Sequence, residues 1–408
     1  MTTVGKWYEE EKMTLERYVS QLHQSAFFRE FTFSHSNFKP DPDREFELAD
    51  SIIKLGDSII VFQMKERMNE VAASGQNEKW FRNKVLRKAV SQIGDSHQYL
   101  KLHSPILVKN DRGHNFSINI HSISNVINVI VYRNNQFLPE HCKRTFHYVS
   151  SQSGFIHIFE LDSYIEMCNL IRVPADIISY LKYRQSMIEA RSKMTVFLNE
   201  DAFLEEFISE NSNALLTQFP YDNKLNINND KEEWDLGTII DKFHEKIVIT
   251  SQPDDYYNIV AEIAKLPRSA WREFKTRFLF CIQDVRLRRF RLPYRFVYPS
   301  TGCGFIFVSC PPAEGTVNYD PARPLVALKN FTEAHKYEQK IDRCIGLVVS
   351  KDGEYFDLNW MMLDFPWIQD DEWDLILSSN APLRQAQSER LHSFYLQFNV
   401  VPSFKDKK

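Results

Sequence analysis

Two runs of β-branched residues near the start of the chain are separated by a short polar turn. The runs cover residues 51–55 and 58–62, and Gly56-Asp57 lies between them. β-Branched runs joined by a Gly-Asp dipeptide are typical of a β-hairpin. The pattern therefore predicts two antiparallel strands, around which we interpret the rest of the chain.

Polar residues stand at the open end of this predicted hairpin. Asp50 precedes the first strand, and Gln63 and Lys65 follow the apolar run of the second. Gln63 and Lys65 are two positions apart, so their side chains point to the same face of the strand. Because a hairpin brings its open ends together, we expect Asp50, Gln63 and Lys65 to lie close in space.

An acid, an amide oxygen and a lysine at one place suit metal-dependent hydrolysis of phosphodiester bonds. A hard cation such as Mg²⁺ prefers oxygen ligands and retains waters that can act as the nucleophile. A neighbouring lysine can orient or deprotonate the attacking water and offset charge that builds on the phosphate. An ordinary hairpin with charged ends is the alternative interpretation of the same residues.

The positions and their order resemble the signature of the PD-(D/E)xK nuclease superfamily, whose core is a helix, three strands and a second helix. Asp50 matches the Asp that opens its second strand. Gln63-Met64-Lys65 matches the (D/E)-x-K that closes its third strand, with an amide in place of the carboxylate, as in some branches of the superfamily. The superfamily often adds a Glu from its first helix, which Glu16 matches. The resemblance covers about residues 7–101.

Apolar spacing around the hairpin predicts the other elements of an N-terminal domain. Strands after the second helix would extend the sheet, and Pro174 would open a helix at its first turn. The expected elements are a helix over 7–28, a strand over 27–33, a polar loop over 34–44, a helix over 77–100, strands over 115–160 and helices over 163–188.

The predicted helix over 77–100 is strongly basic. Its cationic residues include Lys79, Arg82, Lys84, Arg87 and Lys88. A basic helix directly after a nuclease-like hairpin can follow a phosphate backbone and add affinity without reading sequence. A solvated charged face is the alternative.

The second half of the chain predicts another mixture of helices and strands. The expected elements are helices between 200 and 292, an Asn-rich loop over 213–230, strands and one helix between 294 and 360, and an exposed acidic and aromatic loop over 360–373. This mixture indicates a second α+β domain.

Arginines are densest near residue 290, where they alternate with aromatic residues. Such a cluster suits phosphate and base contacts, but it suits a protein interface or salt bridges equally well. The cluster consists of Arg286, Arg288, Arg289, Arg291 and Arg295, with Phe290 and Tyr294 between them.

Composition narrows the class of protein. Hydrophobic residues make up 43% and charged residues 25% of the 408, as in ordinary globular proteins. The net charge of −4 means that nucleic-acid binding would depend on local patches. Six scattered cysteines without zinc spacing predict buried thiols. Without an apolar run of membrane-spanning length or a signal region, we expect a cytoplasmic protein that contacts no membrane.

The predicted fold class is α/β. We expect a restriction-endonuclease-like core of helix, three-stranded mixed sheet and helix, with added strands, over residues 1–195. A second α+β domain over 196–408 would bind substrate or a partner. The resemblance implies that Asp50, Glu16 and Gln63 hold Mg²⁺, which Mn²⁺ could replace, and that Lys65 assists the attacking water.

The expected function is that of a Mg²⁺-dependent endonuclease acting on DNA. Analogy with the superfamily extends this expectation to restriction or phage defence in bacteria, acting as a homodimer or with a protein partner. An inactive nuclease-like fold that binds nucleic acid or protein is the main alternative, and Gln63 favours it. A different enzyme in the C-terminal half is a third. The residues expected to bind nucleic acid are Lys79, Arg82, Arg87, Lys88, Arg286, Arg288, Arg289 and Arg291.

Overall fold

The computed structural model describes most of the chain in two compact units. The described residues are 13–34, 36–41, 43–67, 74–134, 138–191, 199–211, 235–246, 254–312, 320–380 and 383. The first unit holds those up to 210 with 239–246 and 254–255, and the second holds 211, 235–238 and those from 256 onward. The predicted boundary near residue 195, the loop over 213–230 and the first part of the helix over 7–28 lie outside the described residues.

The first unit alternates helices and strands. Its elements are α1 (Leu15–Phe27), β1 (Thr32–Ser34), β2 (Asn37–Asp41), β3 (Arg44–Glu47), β4 (Ser51–Leu55), β5 (Ser58–Arg67), α2 (Ser74–Trp80), the π-helical turn π1 (Phe81–Ala89), α3 (Val90–Leu102), β6 (Ile106–Lys109), β7 (Asn115–Ile118), β8 (Asn125–Asn134), α4 (Glu140–Lys143), β9 (His147–Ser150), β10 (Gly154–Glu160), α5 (Leu161–Ile171), α6 (Pro174–Arg191) and α7 (Glu200–Asn211). The short helices α8 (Gly237–Asp241) and α9 (Phe243–Lys246) come next along the described chain.

Six strands of the first unit form one mixed sheet in the order β1-β4-β5-β8-β10-β9. β1, β4 and β5 pair antiparallel, β5, β8 and β10 pair parallel, and β9 returns antiparallel to β10. A parallel pair needs a long crossover, and the helical run α2-π1-α3 lies between β5 and β8 in the chain. The protein is therefore of the mixed α/β class, and its later strands extend the sheet as predicted.

Helices cover both faces of this sheet. One face of β8 and β10 packs against the helical run 74–102, which confirms the helix predicted over 77–100. The opposite face meets α1 and α5, since Phe62 contacts His23 and Tyr164. The packing residues on the first face are Phe81, Val85, Ala89 and Ile93 on the helices and Ile130, Tyr132, Ile156 and Ile158 on the strands.

Two predictions for the segment between α1 and the hairpin are wrong. The strand expected over 27–33 begins only at Thr32, because α1 continues to Phe27. The loop expected over 34–44 contributes the antiparallel β2-β3 pair. Phe38 and Phe46 pack together with Tyr99, and this tertiary burial outweighs the local proline signal.

The second unit contains one four-stranded sheet, in the order β11-β12-β13-β14. Its outer pairs are antiparallel and the central β12-β13 pair is parallel. Helix α12 lies between β12 and β13 in the chain and provides the crossover. The elements are α10 (Tyr257–Ala264), α11 (Arg268–Arg286), β11 (Tyr294–Tyr298), β12 (Cys303–Cys310), α12 (Ala322–Glu338), β13 (Arg343–Asp352), β14 (Tyr355–Asp364) and α13 (Asp371–Asn380).

Each face of the second sheet is covered by a helix. Phe274 of α11 packs on Phe305 and Phe307 of β12. On the other face α12 approaches so closely that a Cβ at Gly346 would overlap Thr332 Oγ1. The acidic and aromatic loop predicted over 360–373 is wrong at both ends, because it contains the end of β14 and the start of α13.

All six cysteines are buried free thiols, as predicted. Among the helices that the structure describes, none combines the length and the apolar character that crossing a membrane requires. The interior of each unit consists of apolar side chains packed against its own sheet.

Candidate active site

The β4-β5 hairpin positions the residues that the sequence singles out. Its turn is formed by Gly56, whose φ of 58° suits glycine, and by the adjacent Asp57. The pairing runs from the turn to Ser51 opposite Phe62. One step beyond that pair, Asp50 stands opposite Gln63 at the open end.

Asp50, Gln63 and Lys65 come together there. The Met64 backbone N–H donates to Asp50 Oδ2 at 2.5 Å. Lys65 Nζ donates to Asp50 Oδ2 at 3.3 Å and to Gln63 Oε1 at 3.1 Å. It also donates to the Met64 carbonyl at 2.8 Å. Two side-chain oxygens, one before β4 and one on β5, thus share one cationic group.

The three side chains are largely removed from water. Gln63 is 3% exposed, and the side chains of Asp50 and Lys65 are 9% and 13% exposed. Burial strengthens the electrostatic attraction between the carboxylate and the ammonium group, and it makes loss of either partner costly. Asp50 and Lys65 thus keep a small exposure to solvent, whereas Gln63 is almost fully buried.

The donor set fits a hard divalent cation in part. Asp50 Oδ2 and Gln63 Oε1 already converge on one positive atom, Lys65 Nζ. A Mg²⁺ ion accepts one or two protein oxygens and completes its coordination with waters and substrate oxygens. Across the described ranges, no group of three or more His, Cys, Asp or Glu side chains is arranged to hold a metal.

Glu16 lies on the first turn of α1 and is exposed. Within the part of the chain that the structure describes, its carboxylate makes no contact with Asp50, Gln63 or Lys65. The neighbouring acid at the end of β5, Glu66, instead accepts from the Leu15 backbone N–H at 3.1 Å. Glu66 also pairs with Arg133, so it serves to fasten the start of α1.

Two polar groups around the hairpin were not anticipated from the sequence. His23 Nδ1 lies 3.0 Å from Ser51 Oγ, and its Nε2 lies 2.8 Å from Tyr164 OH, on the face opposite Gln63. Burial lowers the pKa of His23 to about 3, which keeps the imidazole neutral. These contacts tie α1 and α5 to the strand that follows Asp50.

The second group is Gln92 on α3, which packs on the Gln63 face of the sheet. Its Oε1 is buried and, within the described residues, has no hydrogen-bond partner. One turn later Ser96 Oγ donates to the Leu48 carbonyl at 2.5 Å, two residues before Asp50. In the sequence, Gln92 could have been noticed as a polar residue beside the apolar stripe of this helix.

The basic residues expected to bind nucleic acid are exposed. This holds for Lys79, Arg82, Arg87 and Lys88 on the long helix, where Arg82 pairs with Glu78. In the second unit Arg286, Arg288, Arg289 and Arg291 are also exposed. Arg295, from the same sequence cluster, is instead buried and paired with Glu338.

Comparison with known proteins adds no family to this picture. No family model, no curated protein and no solved structure matches the chain. Its chemistry is therefore argued from the residues of the hairpin and their surroundings.

Proposed function

We propose that the first unit is a metal-dependent nuclease of the PD-(D/E)xK type that hydrolyses phosphodiester bonds in DNA. The observation that carries the proposal is the convergence of Asp50, Gln63 and Lys65 at the open end of the β4-β5 hairpin. The three come from positions that match the superfamily signature, and they meet in one partly exposed site.

The order of elements supports the same proposal. α1 is followed by the antiparallel strands β1, β4 and β5, then by the helical run 74–102 and by β8 parallel to β5. Helix, three strands and helix is the order that the resemblance implies for a restriction-endonuclease-like core. The β2-β3 pair and the strands from β8 onward are additions to it.

Asp50 and Gln63 would hold Mg²⁺ or Mn²⁺ through Oδ2 and Oε1. The bound ion would polarise a phosphate oxygen and lower the pKa of a water. The Met64 N–H orients the Asp50 carboxylate, because it donates to the same oxygen. Lys65, released from that oxygen, would orient the attacking water and offset charge on the phosphate.

The exposed basic residues of the long helix suit the phosphate backbone of the substrate. Contacts from Lys79, Arg82, Arg87 and Lys88 would give affinity without sequence preference. By analogy with the superfamily, the activity would be endonucleolytic and cytoplasmic and would serve restriction or phage defence, in a homodimer or with a protein partner.

A catalytically inactive binding protein is the second candidate. It is favoured by Gln63, since an amide replaces the usual carboxylate, and by the hydrogen bonds that already satisfy Lys65. In that case the site would be a structural ion pair and the basic helix would retain nucleic acid without cutting it.

Cleavage assays test the choice between the two. Plasmid DNA, linear duplex, single-stranded DNA and RNA would be incubated with Mg²⁺ or Mn²⁺ and with wild type, Asp50→Ala or Lys65→Ala. Asp95→Ala and Lys101→Ala are matched controls, since both residues are exposed on α3. We expect wild type and controls to cut DNA and the two site variants, folded by circular dichroism, to fail.

Thermal unfolding provides an independent readout. A ligand that binds only the native state raises the melting temperature. We expect Mg²⁺ to stabilise wild type and Asp95→Ala but not Asp50→Ala. Cleavage by all variants alike would reject the assigned site, and absence of both cleavage and Mg²⁺ stabilisation would favour the inactive binder.

A further inference from the structure

The second unit repeats the backbone arrangement that carries the candidate site in the first. An antiparallel hairpin, β11-β12, is followed by α12 and by β13 parallel to β12. The first pair of this hairpin is Tyr294 opposite Phe307, as Ser51 is opposite Phe62 in the first unit. The open end of each hairpin can therefore be compared position by position.

The positions that correspond to Asp50, Gln63 and Lys65 in the second unit carry no such chemistry. By strand register they are Pro293, Val308 and Cys310, and all three are buried. They provide neither a carboxylate nor a lysine. These three positions of the second unit therefore cannot form the arrangement proposed for the first.

Residues 286–292, here called the arginine turn, lead directly into β11 at that end. Arg286, Arg288, Arg289 and Arg291 are exposed in it, and Phe290 is 58% exposed. Backbone hydrogen bonds hold the turn on the end of α11, including one from the Arg289 N–H to the Asp284 carbonyl at 2.8 Å. The exposed side chains therefore project from an ordered backbone.

The positive charge of the arginine turn is largely uncompensated. Within the residues that the structure describes, the guanidinium groups of Arg286, Arg288 and Arg289 have no carboxylate partner. Arg291 approaches Asp284 only to 4.0 Å. Arg295 behaves differently, because it is buried against Glu338 and His335. Arg286, Arg288 and Arg289 are thus not part of the ion pairs among the described residues of the unit, and Arg291 forms only a long one.

A fifth guanidinium joins the arginine turn from α12. Arg323 lies over the Phe290 ring, 5.3 Å from its centroid, and donates to the Pro311 carbonyl at 3.3 Å. Pro311 directly follows β12, so these contacts place Arg323 and Phe290 at the open end of the hairpin. Phe290 stays more than half exposed despite this cation–π contact.

We propose that the arginine turn binds single-stranded nucleic acid, with phosphates on the guanidinium groups and a base stacked on Phe290. Arginine forks match phosphate oxygens, and an exposed aromatic ring offers a sequence-tolerant stacking platform. A duplex keeps its base faces stacked within the helix, so it would not use Phe290. An acidic peptide would match the charge but would leave the ring without a stacking partner. This binding requires neither metal nor cleavage and goes beyond the proposed hydrolysis.

Fluorescence anisotropy with a labelled 20-mer of single-stranded DNA tests the proposal. The full chain would be used in EDTA, so that cleavage does not interfere, across a series of salt concentrations. The variants are Phe290→Ala, Arg286→Ala/Arg289→Ala and the control Lys329→Ala/Lys351→Ala. The control removes two charges of the same unit that lie near carboxylates at 3.9–4.0 Å.

The two kinds of variant should differ in how binding depends on salt. Loss of two phosphate contacts should reduce the slope of log K against log salt by about 1.4. Loss of one stacked base should weaken binding by about tenfold without changing the slope. The lysine control should match wild type in both respects.

Three results would overturn the proposal: no binding by wild type, equal losses in the arginine and lysine variants, or tighter binding of duplex than of single strands. Failure of the proposed hydrolysis is recognised separately. An Asp50→Ala protein should cut nothing yet bind the single strand as wild type does, because Asp50 belongs to the first unit. Loss of its binding, with the fold retained by circular dichroism, would contradict an independent site in the second unit.

Discussion

The open ends of the two hairpins, β4-β5 and β11-β12, share a backbone pattern and differ in chemistry. In the first, Lys65 lies within hydrogen-bond distance of both Asp50 and Gln63. In the second, the positions of the same register hold Pro293, Val308 and Cys310. The strand pairing alone therefore makes no site, because the chemistry depends on which side chains occupy three positions.

The two units also differ in how the crossover helix contacts its sheet, α3 in the first unit and α12 in the second. Asn128 of β8 and Gly346 of β13 are equivalent by register, since they pair with Val61 and Ile306. Asn128 Oδ1 lies 2.7 Å from His97 Nε2, so a polar contact joins α3 to the sheet. At Gly346 the absent side chain lets α12 pack directly. The first unit thus uses a hydrogen bond where the second uses close packing.

The largest expected effect is the loss of DNA cleavage when Lys65 is replaced, compared with the same change at Cys310. We expect Lys65→Ala to reduce cleavage at least about 10³-fold, because it removes the charge that positions water and stabilises the phosphate. Cys310→Ala, the equivalent change in the second unit, should leave cleavage unchanged. Initial rates on plasmid DNA measure both. Equal losses in the two variants would break the comparison between the hairpins.

Buried charge in the first unit should matter more than its counterpart in the second. Arg184 is fully buried and donates to Glu200 at 2.8 Å, whereas Glu338, the partner of Arg295, is 36% exposed. We expect Glu200→Gln to lower the free energy of unfolding by about 3 kcal/mol, since it leaves a buried charge uncompensated. Glu338→Gln should cost less than Glu200→Gln, because Glu338 is partly exposed and water can replace part of its contact with the buried Arg295. Urea denaturation compares them, and a reversed order would refute the argument from burial.

Close packing of α12 should make Gly346 sensitive to a single methyl group. An added Cβ would overlap Thr332 Oγ1 and lie 2.7 Å from Leu328 Cδ1. We expect Gly346→Ala to lower the free energy of unfolding by about 2 kcal/mol. Gly75 of α2 has open space around it, so Gly75→Ala should raise stability by up to about 1 kcal/mol. Denaturant midpoints test both, and a neutral Gly346→Ala would contradict close packing.

The smallest expected effect is the pH dependence of stability, to which one buried histidine in each unit contributes. Burial lowers the pKa of His23 to about 3, and burial together with Arg295 lowers that of His335 to about 4. Both values lie below the unfolded value of 6.5, so the unfolded chain binds more protons. The stability that each neutral histidine contributes is therefore fully present above pH 6.5, and it is lost as the pH falls from 6.5 toward the lowered pKa.

The expected loss between pH 7 and pH 6 is about 0.7 kcal/mol for each histidine. Urea denaturation at the two pH values would measure it in wild type, His23→Gln and His335→Gln. Each variant should lose its share of the pH dependence, whereas exposed His121→Gln should retain all of it. An unchanged pH dependence in both buried-histidine variants would contradict the shifted pKa values.

Local signals near the hairpin were sufficient to predict its strands and the meeting of Asp50, Gln63 and Lys65. The β-branched runs and the Gly-Asp turn act over about fifteen residues, and register then follows from the turn. The prediction failed at β2-β3 and at the end of β14, where loops were expected. Phe38 is buried and Phe46 half-buried against Tyr99 of a distant helix. β14 pairs with β13 across a tight turn at Gly353, so there the Asp352-Gly353 dipeptide was a local signal that the prediction did not use.

The sequence by itself determined the secondary structure that rests on short-range patterns, namely the hairpin, the basic helix and the helix opening at Pro174. It also placed Gln63 and Lys65 on a common face, because strand geometry alternates with period two, and Asp50 near them, because a hairpin brings its open ends together. These conclusions need no knowledge of what packs against the hairpin.

Only the tertiary structure decided which polar residues have partners. It separated Arg295, buried against Glu338, from the exposed arginines beside it, and it left Glu16 exposed on α1. It also showed that the hairpin of the second unit repeats the first without its chemistry. Burial and ion pairing depend on residues far apart in the chain, so spacing along the sequence cannot specify them.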